Sequence, residues 1–198
     1  ILIEYSYGQK CNNLNFGIIP DSIAHFIRDK FSIKSSKFSK FMENKVSLSN
    51  NEIKGGILFF GKGQCSSCHN GPHFSDFKFY RILYPQIGFG KNGFGIDYGR
   101  FNNTLDPDDM YAFRTPPLAN VELTQPYGHS GSLVNLEDAI IGHFDPFFLI
   151  DFEKLDGKRR RELFSAAISI SDTQPLPAYL DENEIEDLVS FLKTLTFE

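Results

Sequence analysis

The sequence predicts an all-α fold with long irregular loops, on three observations. Two segments carry apolar residues at helical spacing behind reciprocal capping boxes, Ser49 with Glu52 and Asp181 with Glu184. Clean strand alternation is missing. The stretch from Gly71 to Gly99 is rich in Gly, Phe, Tyr and Asn and has little periodicity of either kind. A chain of 198 residues with 41% apolar content allows one cored domain, or one domain with an appendage. No run approaches the roughly 18 apolar residues of a membrane span. A net charge of −5 without a basic stripe argues against a nucleic-acid partner. Tryptophan is absent and phenylalanine reaches 21, so the interior is built largely from Phe rings.

In chain order, Pro20-Asp21-Ser22 opens a short helix with Ile23, Phe26 and Ile27 on one side. Phe31 to Asn44, with Phe31, Phe38 and Phe41 among Lys and Ser, reads as a connector laid over a surface. The box at Ser49 starts a helix carrying Ile53, Ile57, Leu58 and Phe60, which runs into Gly61-Lys62-Gly63. Pro116 and Pro117 interrupt the segment after Phe113-Arg114-Thr115. Asn135 caps a helix whose Glu137 and Asp138 suit its dipole, with Ala139, Ile140 and His143 before Pro146 ends it. Asp181 caps the last helix, where Ile185, Leu188, Val189, Leu192 and Leu195 recur at helical spacing.

The helix from Ser49 delivers Cys65-Ser66-Ser67-Cys68-His69 at its end. Cys-x-x-Cys-His is the attachment signature of a c-type haem: the thiols add across the vinyl groups and the imidazole becomes the proximal iron ligand. A structural zinc site would need about four Cys or His ligands, and Cys11 is the only other cysteine, far upstream. A thioredoxin-like pair belongs between a strand and a helix, and a disulfide would leave His69 without a purpose. A helix leading into the attachment site and an amphipathic C-terminal helix are what a cytochrome c-like haem domain requires. Three cysteines make no disulfide framework.

Gly61 to Pro72 resembles the second haem site of bacterial di-haem cytochrome c peroxidases and their MauG-type relatives. Asp97-Tyr98-Gly99-Arg100, Phe113 to Val121, Leu123 to Gly131 and Leu188 to Leu195 match the same family in the same order. The likeness covers residues 48–198 as the haem domain, with 1–47 as a remnant of the N-terminal half and linker. The half with its own Cys-x-x-Cys-His, where the family reduces peroxide, is absent. The resemblance therefore implies the relay half, which accepts electrons from a small redox donor protein and passes them to a peroxidatic haem. Alone, this chain is expected to be a poor peroxidase. The alternative is a stand-alone monohaem electron carrier, and a third reading is a haem-free interaction module. Covalent haem implies an extracytoplasmic, periplasmic setting. The opening Ile1-Leu2-Ile3-Glu4 is short, acidic and lacks a basic leader, so the numbering is expected to start after a removed segment, and the chain to be a fragment.

Family members place the sixth ligand on the helix after the Pro-Tyr-x-His-x-Gly loop, commonly as methionine and as tyrosine in MauG. That position here is His143, implying a bis-histidine iron with His69 and a lower potential than methionine ligation gives. The alternative is a helix-end histidine stabilised by the carbonyl dipole. Met110, in an acidic loop and expected to be exposed, is the other soft candidate; Met42 is discounted. Arg100 and Arg114 are expected at the propionates, since a guanidinium pairs with a carboxylate bidentately. Tyr127 is expected to bind the cofactor from its loop. His129 either holds a propionate, shapes the distal side or is fixed in its loop; His73 and His25 read as loop and surface residues. The family's interdomain calcium implies Thr124 and Pro126 carbonyls as partial ligands. The resemblance also admits a homodimer.

Overall fold

The computed structural model describes residues 8, 16–30, 32, 34–86, 96–148, 150–170 and 179–197. Two compact units divide the chain, Ile1–Lys34 and Ser35–Glu198. In the first, helix α1 spans Ile18–Lys30 and leaves Ile19, Ile23, Phe26 and Ile27 exposed. It starts two residues before the predicted Pro20, which falls in the first turn, where a missing N–H costs no helical bond.

The larger unit holds α2 (Lys37–Met42), α3 (Asn50–Phe60), α4 (Phe101–Thr104), α5 (Leu136–Phe144), α6 (Gly157–Ile170) and α7 (Glu182–Lys193). Its core lies where α3 crosses α7. Phe59, Leu188, Phe191, Leu192 and Leu195 are buried there with Val121, Leu136, Ile140 and Leu180. Each such side chain contributes about 1.5–3 kcal/mol on burial. The rings interlock: Phe191 lies 5.2 Å from Phe59 and 5.3 Å from Phe38, centroid to centroid. The crossing is close because Gly55 presents no side chain; a Cβ there would collide with the Asp187 carbonyl and the Phe191 Cβ. Both helices begin at the predicted boxes, with Ser49 accepting from the Glu52 N–H and Asp181 from the Glu184 N–H.

Four local expectations need correction. The stretch read as a connector contains α2, whose box pairs Ser36 with Ser39, and Phe38 reaches the core. Six residues are too few to display a helical period, and long-range contacts fix them: the Phe38 N–H donates to the Thr194 carbonyl. The long loop also carries strand β1, Phe79–Tyr80, paired antiparallel with β2, Phe113–Arg114. Two-residue strands have no alternation to read. Helix α6 has no counterpart among the expectations, because its first turn is Lys158-Arg159-Arg160-Arg161 and its apolar residues come later. Met110 is not exposed but half-buried, packed beside Leu83, Tyr111 and Ala166. Part of the predicted loop (87–95) and Cys11 lie outside the described residues.

Candidate haem site

One short stretch of chain builds the attachment motif. Helix α3 stops at Gly61, Gln64 takes a left-handed φ of 53°, and a single 3-10 turn spans Cys65–Ser67. The His69 N–H donates to the Cys65 carbonyl at 2.9 Å, closing the turn. Lys62 meets Glu184 at 2.6 Å, tying this turn to the start of α7. Both cysteines are free thiols. Burial pushes Cys65 up to about 11 and raises Cys68 as well. A redox dithiol needs a depressed thiol pKa, so the thioredoxin-like reading loses its nucleophile.

His69 Nδ1 lies 3.1 Å from the Phe74 carbonyl. A carbonyl can only accept, so Nδ1 holds the proton and Nε2 keeps its lone pair. Burial, then the nearby His143, push the His69 pKa down to about 4. Burial lowers His143 too. Burial thus favours the neutral form of both rings, the form in which imidazole ligates a metal.

The surroundings of His143 are assembled from distant parts of the chain. Asn135 caps α5, its Oδ1 accepting from the Asp138 N–H at 2.7 Å, and His143 sits in the last turn. Its Nδ1 lies 2.8 Å from the Ala139 carbonyl and 2.6 Å from the Tyr84 hydroxyl. Tyr84 is a residue the sequence did not single out; nothing in its spacing links it to a histidine 59 positions on. Burial keeps its phenol well above the ordinary tyrosine range.

The rings of His69 and His143 face each other with centroids 6.5 Å apart and planes at 69°. Two metal–nitrogen bonds of about 2.0–2.1 Å plus two half-rings of roughly 1.1 Å separate opposed imidazole centroids by roughly 6.3 Å. The observed centroid separation is of the size that a metal ion between two imidazoles requires. Binding such a group to Nε2 while Nδ1–H is held by a carbonyl is the usual outer arrangement of a ligating histidine.

Most of the other candidates are held by contacts of their own. The Arg100 Nε meets Asp109 at 3.0 Å, and its guanidinium lies 4.8 Å from the centroid of the Phe79 ring. Arg114 lies 4.5 Å over Phe77. Both line a hollow of about 260 Å³ shared with Asp97, Phe113 and His129. The His129 Nε2 bonds Asp97 at 2.9 Å and its ring stacks 3.9 Å from Phe113. Tyr127 donates to the Val121 carbonyl at 2.8 Å. Thr124 is exposed and donates to the same carbonyl; Pro126 is half-buried after a cis peptide bond. His73 is half-buried with its ring 5.6 Å from Phe77, while His25 and Met42 are exposed. Among the described residues no group of three or more His, Cys, Asp or Glu could hold a metal ion, and no helix is long and apolar enough to cross a membrane.

A mostly helical unit presenting Cys-x-x-Cys-His at the end of a helix that packs on the C-terminal one is a cytochrome c-like domain. No family model matches the chain. Among curated proteins, cytochrome-c peroxidase IdrP1 of Denitromonas iodatirespirans is 30% identical over 177 residues, covering 77% of this chain and 42% of that protein. The methylamine utilization protein MauG of Methylorubrum extorquens is 32% identical over 145 residues, covering 73% of this chain and 34% of MauG. The crystal structure of a MauG-like protein associated with microbial copper homeostasis superposes with a TM-score of 0.64 at 29% identity, over 84% of this chain and 53% of that one. The chain belongs to the di-haem cytochrome c peroxidase/MauG family. It spans less than half the length of the curated relatives it matches.

Proposed function

We propose that this chain is the electron-transfer haem domain of a di-haem cytochrome c peroxidase or MauG-like protein. Cys65 and Cys68 form the thioether anchors, His69 is the proximal ligand and His143 the distal one. The observation that carries this reading is the pair of imidazoles with centroids 6.5 Å apart, His69 with its Nδ1 on the Phe74 carbonyl and His143 with its Nδ1 on the Ala139 carbonyl. When bound, the haem supplies a one-electron couple. Were His69 and His143 both to hold the iron, they would leave peroxide no open position on it. The domain therefore relays electrons and leaves peroxide reduction to a second haem domain outside this chain, in line with the peroxidase names of its relatives.

Arg114, stacked on Phe77, is the propionate partner we favour; Arg100 is already shared with Asp109. A calcium ion at the Thr124 and Pro126 carbonyls would draw most of its six to eight oxygens from elsewhere. Covalent haem attachment fits a periplasmic protein served by a small redox donor.

The test is an absorption and electron paramagnetic resonance spectrum of the oxidised holoprotein, with and without hydrogen peroxide, for wild type and His143→Ala. The reading expects a low-spin bis-imidazole signal that peroxide leaves unchanged and that His143→Ala removes. A high-spin wild-type signal that reacts with peroxide would overturn it.

A further inference from the structure

Three contacts around His143 determine where its proton sits. The Ala139 carbonyl lies 2.7 Å from the Tyr84 hydroxyl and 2.8 Å from His143 Nδ1, while the hydroxyl and Nδ1 are 2.6 Å apart. The carbonyl can only accept, so each of its two contacts requires a hydrogen from the other side. The single hydrogen of Tyr84 goes to Ala139, and the Nδ1–H is shared between Ala139 and the Tyr84 oxygen. This assignment satisfies all three contacts. The alternative, Tyr84 donating to a bare Nδ1, sets a nitrogen lone pair against a carbonyl oxygen at 2.8 Å. Nε2, 3.5 Å from the Tyr84 hydroxyl, is then left bare.

The tyrosine is itself held in place by close packing. A Cβ built on Gly142 would lie 2.5 Å from Tyr84 Cε1 and 3.1 Å from Cδ1, so the ring lies against the bare backbone of α5 beside His143. A Cβ on Gly128 would meet the same ring from another loop at 3.6 Å. The two rings cross at 90° with centroids 5.4 Å apart. A rotation of the His143 ring about its own axis would have to displace a phenol wedged between two glycines.

We infer that Tyr84 is a positioning residue for the distal ligand, its hydroxyl and ring fixing the plane and the Nδ1–H tautomer of His143. This rests on the His143 ligation proposed above. Outer hydrogen-bond partners raise the basicity of a ligating imidazole, and losing one weakens the metal bond about 10–100-fold. The expected consequence is a distal bond that is weaker and less uniform in orientation, in a domain that still folds and still carries haem.

The experiment compares wild type, Tyr84→Phe, Gly142→Ala and His143→Ala holoproteins by electron paramagnetic resonance, potentiometric titration and cyanide binding. Tyr84→Phe keeps the ring and removes the hydroxyl; Gly142→Ala keeps the hydroxyl and pushes the ring away. Both are expected to remain low-spin with broadened or shifted g-values, and to bind cyanide about tenfold more tightly. A tenfold loss confined to the ferric state would raise the midpoint by about 59 mV. Unchanged g-values, cyanide affinity and midpoint in both variants, with the low-spin signal lost in His143→Ala, would overturn the role of Tyr84 and leave the ligation standing. A low-spin signal that survives in His143→Ala would overturn the ligation, and the role of Tyr84 with it.

Discussion

The two sides of the site are built by opposite means. The proximal side is local: α3, one turn and His69 follow each other along the chain, and α7 clamps them through a buried, glycine-relieved crossing. The distal side is composite, with His143 on α5, Tyr84 from the loop after β1, and α6 packing behind them on Leu83 and Tyr111. A locally built wall concentrates stability at the Cys65–His69 turn. A composite wall makes the environment of His143 adjustable residue by residue. Variants of the first should therefore be read in unfolding curves, and variants of the second in spectra and potentials.

The largest effect belongs to the clamp. Phe191→Ala empties the centre of a ring cluster formed with Phe38, Phe59 and Phe60. Fully buried Phe→Ala changes cost about 3–5 kcal/mol, which urea unfolding of the holoprotein would measure. A loss below about 1 kcal/mol would mean that the crossing does not carry the domain's stability.

Next comes Gly55→Ala, which adds only one carbon, yet places it against the Asp187 carbonyl of α7, backbone that cannot swing aside. Overpacking of this kind costs about 1–3 kcal/mol, seen as a lowered urea midpoint. The same exchange at Gly142 on the distal side meets a side chain, the Tyr84 ring. It should cost less stability while altering the spectrum, and equal stability losses at both glycines would erase the contrast drawn between the two walls.

The same division governs what could be read from sequence. The capping boxes at Ser49 and Asp181, the cap at Asn135 and the Cys-x-x-Cys-His turn are encoded within a few residues, so their patterns are visible in the chain itself. The pairing of Phe79 with Arg114 and of Tyr84 with His143 depends on how distant segments fold back, which leaves no periodic trace. Met110 illustrates the cost of reading an acidic loop as solvated: Asp108 is exposed and Asp109 pairs with Arg100, while the Met110 side chain joins an apolar cluster. Helix α6 was hidden by its basic opening, because the apolar face that seats it, Leu163 with Ala166 and Ala167, starts only after the run of basic residues.

The smallest effect separates the two cap chemistries and is a matter of pH. On α3, Glu52 closes the box through the Ser49 N–H at 2.6 Å and also receives Lys37 at 2.6 and 2.8 Å. Burial alone would raise its pKa, but the Lys37 ammonium and the Ser49 N–H and hydroxyl outweigh it and leave it lowered from 4.5. A carboxyl with a folded pKa below its unfolded one contributes stability that is complete above the unfolded pKa, and lost as pH falls through the folded one. Glu52→Gln should therefore cost about 1 kcal/mol at pH 7, the usual scale of a cap, with the difference from wild type closing below about pH 4.5. On α5 the cap is Asn135, a neutral amide accepting from the Asp138 N–H. Asn135→Ala should cost a similar amount; the cap side chain itself does not titrate, and Glu137 and Asp138 of the first turn are common to both proteins, so the difference from wild type should stay level over the same range. Paired urea titrations at pH 7 and pH 3.5 distinguish the two. A Glu52→Gln penalty that persists undiminished in acid would show that its carboxylate charge does nothing at the α3 start, and that both helices begin on neutral hydrogen bonds alone.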